Sequence, residues 1–254
     1  MLEIVDSRLV VLPDKITVAF IPQVNIRPKT LVLLVGRNGQ GKSAFMKAIC
    51  KIKPFHIMGG RYRQRVNRFV YLDAEPLAGI QGSLTAEEMF RLFCRIKRNA
   101  AIQMLDKLSY CGLQKEVFEA VSQNRTISSL SSGQRQFLLM LAAINSRANF
   151  LFIDEGMSAL DQCQLEEVMG FMRSDVLPDL SEQNGVIFLA SHSVVLLNSF
   201  VDLVQSFGWT YNVYLFEQKL CREVKTFQYP FSSDAFKVLY NYYFSSSKSE
   251  ALIK

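Results

Sequence analysis

A chain of 254 residues, 49% of them apolar, is sized for one sizeable globular unit with room for an inserted subdomain. Its net charge of +6 is unevenly spread: Lys15 to Leu72 holds twelve Lys or Arg and no Asp or Glu, while the remainder holds seventeen basic and twenty-three acidic residues. Five cysteines without C-x-x-C spacing (Cys50, Cys94, Cys111, Cys163, Cys221) and no basic-then-apolar leader argue against a disulfide scaffold and point to reduced thiols in a cytosolic compartment.

From the amino end, β-formers (Ile4, Val5, Val10, Val11, Ile16, Val18, Phe20) cluster between Pro13, Pro22 and Pro28. That pattern predicts an antiparallel β-layer over Met1 to Leu34, leading into the apolar run Leu31 to Val35, which reads as a buried parallel strand. Next comes Gly36-Arg37-Asn38-Gly39-Gln40-Gly41-Lys42-Ser43, a G-x-x-x-x-G-K-S loop, followed at Ala44 by a helix whose Phe45, Met46 and Ile49 share one face. Glycines let backbone N–H groups wrap phosphates, Lys42 reaches the terminal phosphates, and Ser43 offers a hydroxyl to Mg²⁺. The expected ligand is a nucleoside triphosphate.

Part of the basic block belongs to that loop. The remainder, "RYRQRVNR" from Arg61 to Arg68, suits the solvent face of an exposed strand, with acidic lipid or nucleic acid as the alternative partners. From Leu84 to Arg147 the period turns helical: Thr85 and Glu88 form a capping box, and "AIQMLDKLSYCG" is expected to stop at Gly112. "TISSLSSGQRQFLLM" then runs a serine-rich loop into a helix, with Ser131 or Ser132 as N-cap and Gly133 open to close backbone approach. Amide N–H groups there make a second anion site.

"NFLFIDEG" is another buried strand, ending in Asp154, placed to hold the Mg²⁺ shell, and Glu155, placed to orient or deprotonate an attacking water. "GVIFLASHS" ends at His192, which could contact a γ-phosphate or that water. Val186 to Val204 is the most apolar window, but His192, Asn198 and Asp202 interrupt it, so it is no membrane span. In the tail, "DAFKVLYNYYF" predicts a short helix within 231–254, packed on the core or exposed for docking.

GRNGQGKS, LSSGQ, FLFIDE, "SALD" (Ser158 to Asp161) and the strand-end His192 follow one another as in ATP-binding-cassette (ABC) ATPases, which the chain resembles from about Leu2 to Phe227. The resemblance implies an α/β P-loop core with an antiparallel β-layer, spanning 1–230, and an inserted helical subdomain at about 77–147. In this family two cassettes stack head to tail. Ser131, Ser132, Gly133 and Gln134 of one would then face the γ-phosphate held by the other, with Asp161 in the dimer-contact loop. One phosphate loop and one signature per chain fit a two-fold pair, a homodimer or a pair of different cassettes.

Three positions depart from the family pattern. No aromatic residue lies near Leu9 to Lys15, where the family stacks on adenine. "YLDAEP" puts Ala74 or Glu75 where the family has a glutamine, and Gly156 replaces a common proline. The resemblance implies an ATP- and Mg²⁺-dependent ATPase that drives a separate membrane-spanning transporter subunit from the cytoplasmic face, with no nucleic acid expected. The alternatives are a soluble cassette working in assembly or on nucleic acid or ribosomes, and a slow or degenerate regulatory cassette.

Overall fold

The computed structural model describes residues 2–64, 68–73, 84–89, 112–145, 148–157, 160–224 and 229–232. Strands β1 (Leu2–Val11) and β2 (Ile16–Ile26) form an antiparallel pair, followed by β3 (Thr30–Val35) and the helix α1 (Lys42–Ile49). Short strands β4 (Phe55–Met58) and β5 (Arg61–Gln64) both pair with β1. Then come β6 (Phe69–Asp73), the helices α2 (Gly112–Ser122) and α3 (Ser132–Asn145), and β7 (Phe150–Asp154). Helix α4 (Gln162–Phe171) continues through a π-helical turn, Met172–Val176, into α5 (Leu177–Glu182). β8 (Val186–Ala190), α6 (Val194–Gln205), β9 (Thr210–Glu217) and β10 (Leu220–Glu223) complete the order.

The ten strands among the described residues join one sheet in the order β4-β1-β2-β10-β9-β3-β8-β7-β6, with β5 branching off β1. From β9 to β6 neighbouring strands are parallel; the β9–β10 hairpin carries the sheet across to the antiparallel layer. Pro22 is tolerated inside β2 because the pairing with β10 ends at Phe20.

The near-continuous apolar runs of the parallel strands exist because both faces are covered. Leu31, Leu33 and Val35 of β3 face a core shared with α2 to α6, while Val32 and Leu34 face a second core shared with α1, β1 and β2. β7, β8 and β9 split the same way, for example Leu151 against Phe152. In the second core Phe45 of α1 is fully buried, 5.3 Å from the ring of Phe216 and 6.5 Å from that of Phe188. Truncating it to alanine would cost about 3–5 kcal/mol.

Several expectations are met. The amino-terminal β-layer, the strand–loop–helix and the strand end at Asp154 stand where the periodicity put them, while the strand expected to end at His192 stops two residues earlier, at Ala190. Arg61 and Arg63 are exposed on β5 while Tyr62 is half-buried, the alternation of a solvent-facing strand. Thr85 and Glu88 exchange both capping-box bonds, at 2.9 and 3.1 Å. Cys50, Cys163 and Cys221 are free thiols.

Gly112, the expected stop of the preceding helix, is the first residue of α2 and sits at φ +47°. Leu113 N–H donates to Glu167 Oε2 at 2.7 Å, and a Cβ at Gly112 would lie 1.9 Å from Glu167 Oε1. The glycine is there to let Glu167 close over the start of the new helix. The expected helix before it, Ala74 and Glu75, Ser158 of the SALD run, and the tail helix all lie outside the described residues.

Candidate functional site

The loop between β3 and α1 opens onto a cavity of about 320 Å³ lined by Val18, Asn38, Gly39, Gly41, Lys42, Ser43, Ala44, Phe55, Asp154 and Glu155. It lies beyond the carboxyl ends of β3 and β7, where open α/β sheets bind ligands. Helix α1 starts at Gly41 in a left-handed conformation with no side-chain cap, so its first amides can point at an anion. The loop residues Gly36, Arg37 and Gln40 hold the turn, with Gln40 N–H reaching Arg37 O at 3.4 Å.

Lys42 is 6% exposed and donates to the carbonyls of Gly36 at 2.6 Å and Arg37 at 3.1 Å. Burial lowers its pKa, and the nearby Glu155 and Asp154 carboxylates push the other way. Ser43 Oγ donates to Asp154 Oδ1 at 2.8 Å, and Tyr71, on the adjacent strand β6, donates to Oδ2 at 2.6 Å. Among the described residues no group of three His, Cys, Asp or Glu stands ready to hold a metal alone. A hydroxyl beside one carboxylate still fits Mg²⁺, a hard cation that takes most of its shell from water and phosphate oxygens.

Glu155 sits at φ +53°, unusual for a glutamate. The surroundings hold it there: its N–H reaches Ala190 O at 2.9 Å, and its backbone bridges to Asp73. Gly156 explains its departure from proline by crowding, since a Cβ there would come within 2.8 Å of Leu72 O. Glu155 Oε1 is buried without a hydrogen-bond partner, 3.5 Å from His192 Nε2. That same nitrogen lies 2.7 Å from Asn38 Oδ1, so the ring donates to the loop in its Nε2–H tautomer. With Glu155 lining the cavity beside Ser43 and Asp154, a carboxylate stands where a water-orienting base is needed.

Ser131 proves to be the N-cap of α3. Its Oγ accepts from Gln134 N–H at 3.2 Å, and Gln134 Oε1 accepts from Ser131 N–H at 3.0 Å. Ser132 begins the helix; Gly133 is buried, and a Cβ on it would lie 2.9 Å from Leu160 Cδ2. Gln134 also donates to Glu116 on α2 at 2.8 Å. Asp161 caps α4 in a second capping box with Gln164. The signature residues are therefore brought together with Asp161, around the starts of α3 and α4, and are not among the residues that line the cavity with Lys42.

The residues missed at the sequence level are Tyr71, Val18 and Phe55. Tyr71 shares one face of β6 with Phe69 and Asp73, but nothing in the local pattern tells that β7 will place Asp154 beside it.

A family model described as ABC transporter matches residues 22–158. The bacitracin transport ATP-binding protein BcrA of Enterococcus faecalis is 26% identical over 67% of this chain, which spans 55% of that protein's length. The zinc import ATP-binding protein ZnuC of a Ruegeria species is 27% identical over 67% of this chain and 67% of its own. A solved ABC transporter in an inward-facing conformation superposes with a TM-score of 0.62 at 17% identity, covering 94% of this chain and 88% of that one.

Proposed function

This chain belongs to the ABC transporter family, and on that premise we propose that it is the ATP-hydrolysing subunit of a transporter. The proposal assigns the membrane path to a separate subunit; no helix among the described residues is long and apolar enough to cross a membrane. The observation that carries the reading is the convergence of Lys42, Ser43, Asp154 and Glu155 on one cavity at the end of the parallel strands.

The loop amides and Lys42 bind and orient the triphosphate, Lys42 exchanging its carbonyl partners for phosphate oxygens. Ser43 Oγ and Asp154 would hold Mg²⁺, and the charge of that ion offsets the negative charge that otherwise repels a nucleophile from the phosphate. Glu155, whose side chain lines the cavity, accepts a proton from the attacking water. His192 ties Asn38 of the loop to Glu155, so base and phosphate loop keep their spacing.

The finer part of the proposal is that two cassettes pair head to tail, the Ser131 end of α3 in one closing on the nucleotide of the other. The second cassette is a copy of this chain or a related one. The pair would dock on the inner face of the membrane.

Phosphate release by the purified chain with MgATP tests the chemistry: the expected activity is ATP-dependent and lost in Glu155→Gln. An inactive wild type that also fails to bind ATP overturns the reading. Recovery in the soluble fraction with bound nucleic acid, and no membrane association, would overturn the transporter assignment.

A further inference from the structure

The cavity has two unlike walls. Asp154 and Glu155 come from the end of β7, two strands from β3 on one side of the sheet order. Val18 and Phe55 come from β2 and β4, on the other side of β3. The phosphate loop lies between. Lys42, Ser43 and the carboxylates claim the terminal phosphates on the β7 side, so the rest of a bound nucleotide must extend toward the apolar wall.

That wall is built tightly. Val18 lies against the loop itself, for a Cβ on Gly41 would sit 2.9 Å from Val18 Cγ1. Phe55 opens β4, opposite Val11 of β1, with its N–H held by Ile52 O at 3.3 Å, and its ring is half-buried against the second core. A half-buried aromatic ring on the rim of a phosphate site offers a flat apolar face beside a charged end. That is the complement of a nucleoside phosphate, whose base has a π-face to stack and whose tail is anionic.

Resting on the nucleotide reading above, we infer that Phe55 is the base platform of this site: the nucleobase stacks on its ring, with Val18 packing against the sugar side. Recognition of the base then comes from β4, the strand after α1, and not from the β1–β2 turn at Leu12 to Lys15. Because β4 pairs with β1, the base grips the β-layer while the phosphates grip the parallel core. One ligand bridges both halves of the sheet.

The test compares binding of MgATP, MgADP and magnesium tripolyphosphate to the full chain by calorimetry. Phe55→Ala should weaken ATP and ADP about ten-fold or more, in line with the loss of one base–aromatic stack, and leave tripolyphosphate unchanged. Phe55→Leu keeps the apolar volume that packs on the core and should show the same selective loss; Phe55→Tyr should bind as wild type. Unchanged ATP affinity in both Phe55→Ala and Phe55→Leu overturns the inference, as does an equal loss for tripolyphosphate, which would make Phe55 a prop for the loop. If the wild type binds neither ATP nor tripolyphosphate, the nucleotide reading itself fails.

Discussion

Tyr71 donates its phenolic hydroxyl to Asp154 Oδ2 at 2.6 Å, while Ser43 occupies Oδ1 at 2.8 Å. The two bonds fix the plane of the carboxylate proposed to hold Mg²⁺. Burial, with the Asp154 charge and hydrogen bond beside it, pushes the phenol pKa far up, so Tyr71 stays a donor at every working pH. Lys47 of α1 covers the same ring at 5.8 Å and pairs with Asp73 at 3.6 Å, holding β6 to the helix. Tyr71→Phe removes a hydrogen bond to a charged group, worth about 1.5–3 kcal/mol. The expected outcome is a several-fold shift in the Mg²⁺ concentration giving half-maximal nucleotide binding, with metal-free binding little changed. Identical Mg²⁺ titrations for the two proteins would mean that Ser43 alone orients Asp154.

What was legible in the sequence was chemistry carried by one local unit. Lys42 and Ser43 sit in a loop fixed by its own strand and helix, and Thr85 with Glu88 satisfy each other three residues apart. Asp154 and Glu155 were readable at a strand end, and His192 was readable beyond the last apolar strand although that strand stops at Ala190. Tyr71 and Phe55 were not, because Tyr71 reaches Asp154, and Phe55 the cavity, through pairings, Asp73 with Asp154 and Phe55 with Val11, between strands far apart in the chain. At Gly112 the need for a left-handed φ was readable, but not that Glu167, far along the chain, folds over the start of α2.

Lys42→Ala removes the one lysine lining the cavity among the described residues. With it goes the principal cation at the β- and γ-phosphates, so ATP turnover should fall by about 100-fold or more and ATP binding should weaken sharply. The fold should survive, because the lysine's own bonds are to loop carbonyls that water can satisfy. Undiminished turnover in a phosphate-release assay would remove the loop from the chemistry.

Glu217, at the end of β9, is 8% exposed, and neither carboxylate oxygen has a hydrogen-bond partner among the described residues. Burial raises its pKa, opposed in part by Arg222 and Arg37. Between the ordinary carboxyl value and the raised one, the folded chain keeps a proton that the unfolded chain has released. Stability therefore falls as pH rises through that window, and the loss is complete above it. Glu217→Gln should raise Tm at neutral pH, by about 2–4 °C for each kcal/mol recovered in a chain of this size. The gain should vanish in acid below the ordinary carboxyl range. Equal melting temperatures at neutral pH would show that the carboxylate is solvated or paired after all.

The pairing of two cassettes makes the riskiest prediction. Ser131 Oγ spends a lone pair on Gln134 N–H, yet as a hydroxyl it can still donate its own proton outward, and Ser131 is exposed. Capping α3 and meeting a partner's γ-phosphate are thus compatible, and a bulky substitution would confuse the two. Aspartate and asparagine both cap as well as serine, but only aspartate places a negative charge where the triphosphate would arrive. Glu155→Gln keeps the shape of the base without its function, so the ATP state should persist, and nucleotides shared across a pair stabilise it by mass action. In that background the chain should elute as a dimer with ATP and a monomer with ADP, increasingly so as protein concentration rises. Adding Ser131→Asn should preserve the dimer. Adding Ser131→Asp should abolish it while circular dichroism, melting temperature and ATP binding by each monomer stay as before. A dimer that survives Ser131→Asp would leave α3 a capped helix and nothing more.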